Sequence, residues 1–282
     1  MTTRKTTKKA ASQAPAATTT GSGSTAKRST SAAKMHDIFS PTAPDNPPVV
    51  EPAPPAPAGA ESAEPGGAPR QGPDQASWAL AEHFRHEGPE AAAAREAAAR
   101  SGIVPVAPGV ATMLTFLART ARARSVVEIG SGTGVSGLAL FAGMAGDGVL
   151  TSIDSDPEAQ RVARGVFRDA GIPSNRFRLI TGDALSVMPK LSDAAYDLVF
   201  VDGDKLEYAE YIEQAQRLLR AGGVLVVNNA LWNNLVADPA NDDNETIVIR
   251  EALEAVTTME TAWIPALLPV GNGLLVASRA DD

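Results

Sequence analysis

From about residue 125 onward, short apolar runs alternate with longer amphipathic stretches, and this alternation sets the predicted elements. Val126, Val127 and Ile129 form a β-rich run that enters the loop Gly130-Ser131-Gly132-Thr133-Gly134. A helix-forming stretch from Leu138 to Ala145 follows at once. The pattern then predicts strands at Val149–Ile153, Phe177–Thr181, Tyr196–Val201 and Val224–Val227. Helices are predicted between them at Pro157–Asp169 and Glu207–Leu219, the second ending before Gly222-Gly223. Short strands that are apolar on both faces and are separated by helices mean a parallel sheet covered on both sides. A last helix at Glu245–Val256 precedes strands at Thr261–Leu268 and Gly273–Ser278, joined by Pro269-Val270-Gly271-Asn272 as a hairpin-like edge pair. The expected fold class is α/β: a doubly wound, mostly parallel seven-stranded sheet with helices on both faces.

Upstream of the sheet the pattern weakens. Ser77 to Arg100 is alanine-rich and reads as two short helices parted by Gly88-Pro89. An extended loop from Ser101 to Gly109 and a helix from Val110 to Arg122 lead into the first strand. Residues 1–75 hold 12 of the 21 prolines and almost no apolar clusters, so they cannot bury enough surface to offset the ordering of the chain. They read as a disordered tail, basic at first and then Pro/Ala-rich, ahead of one domain over residues 76–282. Residues 1–34 carry seven Lys or Arg and no acid, which suits a solvated spacer with weak polyanion contact. Residues 76–282 carry 17 basic and 27 acidic side chains, a balance that argues against a nucleic-acid surface. The chain has no cysteine, which excludes disulfide and thiolate chemistry and fits a reducing cytoplasm. No run approaches the length of a membrane span and no apolar segment follows the basic start, so a soluble, cytoplasmic protein without membrane contact is expected.

The glycine loop supplies the first chemistry. Glycine lets a ligand lie against bare backbone, and the N–H groups that open the next helix attract an anionic group. A dinucleotide fingerprint requires G-x-G-x-x-G straight after the strand, whereas counting from Gly130 gives G-S-G-T-G-V. Glu128, in E-x-G-x-G-x-G, suits a cationic or hydroxyl-bearing ligand better than a pyrophosphate. Polar residues also gather where the other strands end: Asp154, then Gly182-Asp183-Ala184, then Asp202-Gly203-Asp204-Lys205, then Asn228-Asn229. In such a sheet ligands bind outside the carboxyl ends of the strands, and turn formation alone does not account for five polar caps at one edge.

The runs VVEIGSGTG, TSIDSDP, RLITGDA, YDLVFVDGDKLEYAEY, LLRAGGVLVVNNALW and PVGNGLLVA resemble the class I S-adenosylmethionine (SAM) O-methyltransferases of bacteria related to catechol and caffeoyl-CoA O-methyltransferases. The resemblance covers about residues 76 to 280. It implies a Rossmann-like methyltransferase fold, a homodimer, and transfer of a methyl group from SAM to a hydroxyl of a small phenolic or catechol-like acceptor. The implied cofactor positions are Val104, Glu128, Gly130, Ser131, Gly132, Gly134, Ser136, Asp154, Asp183, Ala184 and Asp202. Asp154 would take the ribose hydroxyls and Asp183 the adenine amino group. Val104 and Ser136 would hold the methionine carboxylate. Helix capping is the alternative for Ser136, and a local turn bond the alternative for Asp183.

Lys205 and Asp202 are the implied catalytic residues, and Asp202, Asn228 and Asn229 match the positions that hold Mg²⁺ or a similar divalent cation in the family. After Lys34 the chain uses lysine only at Lys190 and Lys205. The family pattern has Asp-Asn where this chain has Asn228-Asn229, and losing a carboxylate should weaken binding of a hard cation. His36, His83 and His86 all precede the sheet, which excludes a histidine base within it. Two other readings remain at this stage: a SAM-binding protein without metal-dependent catalysis, and an NAD-binding oxidoreductase disfavoured by the glycine register.

Overall fold

The structure is a computed structural model that describes residues 72–258 and 262–280. The tail assigned to residues 1–75, with its polyanion contact, lies outside the described residues up to residue 71. Three helices come first: α1 (Gln75–Glu82), α2 (Pro89–Ser101) and α3 (Pro108–Thr120). Asp74 caps α1 by accepting the Ser77 N–H at 2.8 Å. Pro89 and Pro108 open α2 and α3 at the first turn, where a missing N–H costs nothing.

The alternating region follows as β1 (Ser125–Ile129), α4 (Val135–Gly143), β2 (Val149–Asp154), α5 (Pro157–Asp169), β3 (Phe177–Thr181), α6 (Ala184–Val187), β4 (Tyr196–Val201), α7 (Tyr208–Leu218) and β5 (Leu219–Val227). Helix α8 (Asn244–Thr258) and strands β6 (Trp263–Leu268) and β7 (Leu274–Arg279) complete the described chain. The seven strands lie in the order β3-β2-β1-β4-β5-β7-β6. All are parallel except β7, which runs antiparallel to both its neighbours.

Alternate residues of each central strand feed two cores. Val127, Val199 and Leu225 face α7 and α8 through Ile212, Ala215, Ile249 and Val256. Val126, Leu198 and Val226 face α3, α4 and α5 through Leu114, Leu140 and Phe167. Burial on both faces is why these strands read as unbroken apolar runs. Among the described residues no helix is long and apolar enough to cross a membrane.

Several boundaries depart from the sequence reading; α3, β2, α8, β6 and β7 shift by one or two residues, and three others follow. Strand β5 begins at Leu219, because Leu219 already pairs with Tyr196; Leu198 next pairs with Val224, so Arg220–Gly223 bulge out of the ladder. The Gly222-Gly223 pair therefore marks a bulge within β5. Helix α4 starts at Val135, directly on the glycine loop, and not at Leu138. The helix expected from Glu207 is preceded by a 3₁₀ turn at Lys205–Glu207, capped by the Asp204 carboxylate.

The strand order reverses between β1 and β4, which opens a crevice at their carboxyl ends. Gly130 and Asp202 stand at that point. The Asp202 N–H donates to the Ile129 carbonyl at 2.8 Å, and the Gly130 N–H to the Ile153 carbonyl at 2.8 Å.

Candidate active site

Gly130 turns the chain out of β1 with φ +89°, and a Cβ there would stand 2.3 Å from the Asp202 carbonyl oxygen. No other residue fits this close approach of two strand ends. Asp154, at the end of β2, pins the loop by accepting the Gly132 N–H at 2.9 Å through one oxygen and the Asp156 N–H at 2.9 Å through the other. Each carboxylate oxygen keeps a further lone pair for a ligand hydroxyl. Gly134 forms the N-cap of α4 without a side-chain bond, so Ser136, in the first turn, is not the cap.

A polar layer lies beneath the loop. Glu128 is fully buried and its Oε2 accepts the Ser152 hydroxyl at 2.5 Å. Its Oε1 has no partner of good hydrogen-bond geometry among the described residues. Burial pushes the Glu128 carboxyl up to about 7; the Ser136 and Ser152 hydroxyls pull it back, and the charges of Asp202 and Asp154 raise it further. Ser131 spends its buried hydroxyl on Ser152 at 2.6 Å and accepts from Gln160 Nε2 at 3.2 Å. Gln160 in turn reaches the Ile180 carbonyl and the Thr181 hydroxyl, tying β1, β2 and β3 together below the crevice.

The crevice itself is a cavity of about 370 Å³, within the usual size for a small-molecule site. Of the predicted cofactor positions, Gly130, Asp154, Asp183, Ala184 and Asp202 line it together. Ser155, Gly203, Asp204, Glu207 and Tyr211 line it as well. Sequence reasoning passed over Ser155, Glu207 and Tyr211; the one available signal was the four-residue spacing of Glu207 and Tyr211, which stacks them on one helix face. The Tyr211 hydroxyl donates to Glu207, and burial together with that contact pushes the phenol well above its usual range. Asp183 accepts the Ser186 N–H at 2.9 Å as the cap of α6, and the Ser186 hydroxyl, aided by that N–H, holds its carboxyl below the usual value.

Glu128, Ser131 and Ser136 lie buried behind this wall, while Val104 is 91 % exposed on the loop before α3. That loop still borders the site, because Ile103 comes within 3.6 Å of where a Cβ on Gly132 would lie. Among the described residues the lining holds five carboxylates and no lysine, arginine or histidine. Such a field favours a cation and repels a pyrophosphate.

A second cluster adjoins through Asp202. Asn228 and Asn229 each donate from Nδ2 to Asp202 Oδ1, both at 3.0 Å. Burial pushes the Asp202 carboxyl up to about 6, while the Asn228 bond and the Lys205 charge pull it down. The Tyr208 hydroxyl fixes the backbone by donating to the Asn228 carbonyl at 2.9 Å. Lys205 Nζ stands 4.7 Å from the centroid of the Trp232 ring, within cation–π range.

The three positions that would hold a divalent cation do not fit one in this arrangement. A hard cation needs several oxygens turned toward it. Here Asn228 and Asn229 both turn their amide nitrogens, and not their oxygens, toward Asp202 Oδ1, the one carboxylate of the three. Among the described residues no group of three or more His, Cys, Asp or Glu is placed to hold a metal.

Comparison with known proteins bears on the family and the fold. The O-methyltransferase family model matches residues 90–280. O-methyltransferases of Mycobacterium tuberculosis and Mycobacterium bovis are 44% identical over 213 residues, which is 76% of this chain and 95% of theirs. A Corynebacterium glutamicum protein of known crystal structure is 32% identical with a TM-score of 0.67, over 72% of this chain and 95% of its own. The O-methyltransferase TomG from Streptomyces achromogenes, involved in tomaymycin synthesis and crystallised with SAM, is 26% identical with a TM-score of 0.66 over the same shares. A family match over residues 90–280, with relatives 44% identical over most of both chains, makes the chain a member of the O-methyltransferase family.

Proposed function

We propose that this O-methyltransferase takes SAM into the acidic crevice and methylates a hydroxyl of a small phenolic or catechol-like acceptor beside Lys205. One observation carries the reading: a cavity with five carboxylates and no cationic side chain, at the reversal point of the sheet, suits a sulfonium and not a dinucleotide. The SAM held by TomG supports the same choice. When bound, SAM supplies an electrophilic methyl group on a positively charged sulfur.

The residues divide the work by position. Asp154 accepts the ribose diol while holding Gly132, and Asp183 accepts from the adenine amino group while capping α6. Glu128 and Ser136, below the loop, polarise the amino-acid end, with the backbone of Gly130 and Val104 beside it. Ser131 acts through Ser152 to keep Glu128 oriented. Lys205 faces the acceptor oxygen as a cation and stabilises the charge on it while the hydroxyl proton passes to solvent, and Asp202 fixes the floor between the two halves.

Asp154→Ala is expected to weaken binding of SAM or its demethylated product at least about tenfold, since a hydrogen bond to a charged group is worth roughly 1.5–3 kcal/mol. Calorimetry reads this directly. Equal affinities in the two proteins would place the ribose elsewhere and defeat the assignment.

We also propose that the protein is a homodimer, as the family resemblance implies. The support is an apolar face where α1 meets α3, with Leu80 68 %, Phe84 78 % and Phe116 61 % exposed, too much in one place for scattered surface residues. Glu82 fixes α1 there by accepting the Gly109 N–H at 2.8 Å. Light scattering should give twice the chain mass, and Phe84→Glu should halve it; a monomeric unmodified protein would end this proposal.

A further inference from the structure

The segment after β5 adopts a backbone that its residues disfavour. Asn229, Trp232, Asn233 and Asn234 all have positive φ, at 57°, 40°, 55° and 66°. Asparagine tolerates left-handed backbone better than most residues that carry a Cβ, but tryptophan does not, and three such residues in succession persist only where neighbours enforce the shape. The enforcing group is the turn between β6 and β7, at the other end of the final hairpin. Gly273 accepts the Ala230 N–H at 3.0 Å, and Asn272 accepts the Leu231 N–H at 3.0 Å through its carbonyl. A Cβ on Gly273 would lie 2.4 Å from the Leu231 nitrogen, so the two segments touch backbone to backbone.

The Asn272 side chain closes the connection in both directions. Its Oδ1 accepts the Asn233 N–H at 2.6 Å, inside the left-handed run. Its Nδ2 donates to Asn229 Oδ1 at 3.2 Å, and Asn229 in turn donates to Asp202. One amide thus links the floor of the site to the loop that carries Trp232, whose ring receives the Lys205 ammonium at 4.7 Å. A lysine has four rotatable carbons, so its head is fixed only by what it rests against.

We propose that Asn272 is a positioning residue: it holds the left-handed loop at Trp232–Asn234 so that the indole face fixes the direction of the Lys205 ammonium. Lys205 is the group that matters here only if the reading of the previous section holds. The positioning itself can be measured without turnover.

The full-length chain has seven lysines, and reductive ¹³C-dimethylation makes each visible by NMR. The Lys205 signal, identified by its loss in Lys205→Arg, should be shifted upfield by the indole ring and should return toward the other six in Trp232→Leu. Asn272→Ala should return it likewise. Asn272→Asp keeps the acceptor for the Asn233 N–H and should retain the shift. In turnover, Asn272→Ala should lower kcat toward a catechol by about tenfold with KM for SAM unchanged, because misplacing a catalytic group costs rate more than binding.

An unshifted Lys205 signal in the unmodified protein, or one that Asn272→Ala leaves in place, would overturn the proposal. If Asn272→Ala does not fold, Asn272→Asp decides: a retained shift supports the Asn233 contact and a lost one overturns it. Failure to bind SAM or its demethylated product would defeat the cofactor reading alone, since the lysine signal is read on the unliganded protein.

Discussion

Lys205→Ala is expected to lower kcat toward a catechol by about a hundredfold or more, the usual range for removing a group that stabilises charge in the transition state being about 10²–10³. SAM affinity should hardly change, because Lys205 does not line the cofactor cavity. Lys205→Arg keeps a cation, yet its planar head does not sit on the indole in the same way, so it should recover only part of the rate. Comparing kcat and cofactor affinity for the three proteins checks the assignment. A rate in Lys205→Ala within about threefold of the unmodified protein would remove Lys205 from the chemistry, far below the effect expected of such a group.

The second large effect concerns the metal. Methyl transfer by the unmodified protein should respond little to Mg²⁺ or to EDTA, since the cluster has one carboxylate and both its amides turn their nitrogens toward it. Asn228→Asp removes one of those donors and sets a second carboxylate beside Asp202. Two adjacent carboxylates repel, so without metal this variant should melt at a lower temperature. Mg²⁺ should restore the melting temperature and bind at least about tenfold more tightly than to the unmodified protein, because a hard cation gains a charged oxygen ligand and stabilises the state that binds it. Melting curves and rates against metal concentration test both halves. Strong, saturable stimulation of the unmodified protein at low metal would overturn the argument from charge. A rate unaffected by metal in both proteins would leave the chemistry to Lys205 alone.

How far the sequence could be read depended on the range of the forces involved. Helix α5 and strands β3 and β4 fall within their predicted limits. Asp156 caps α5, Pro157 opens it, and the strands are short runs with polar residues at each end, so the signals lie within a few positions of the boundary. The early start of β5 is different, since it depends on a bridge between Leu219 and Tyr196 that no local pattern announces. The same division runs through the site. Gly130, Asp154, Asp183, Ala184 and Asp202 end strands or begin turns, and the sheet brings them into one cavity. Glu207 and Tyr211 read as ordinary members of an amphipathic helix, and only its docking turns them inward. In Trp232–Asn234 the two asparagines were the one local sign of a left-handed backbone, and Trp232 had none, because the group that bonds this run lies about forty positions further along.

That separation also orders the birth of the site. Every residue that lines the cofactor cavity lies between Ile129 and Tyr211, so this half is spelled out well before synthesis ends. Strand β7, by contrast, enters between β5 and β6, and the turn before it carries Asn272 and Gly273. A domain folds as a unit, and contacts between distant positions are slow to form. A chain short of its final hairpin therefore carries every residue of the cavity lining but lacks the bonds that set Trp232 under Lys205.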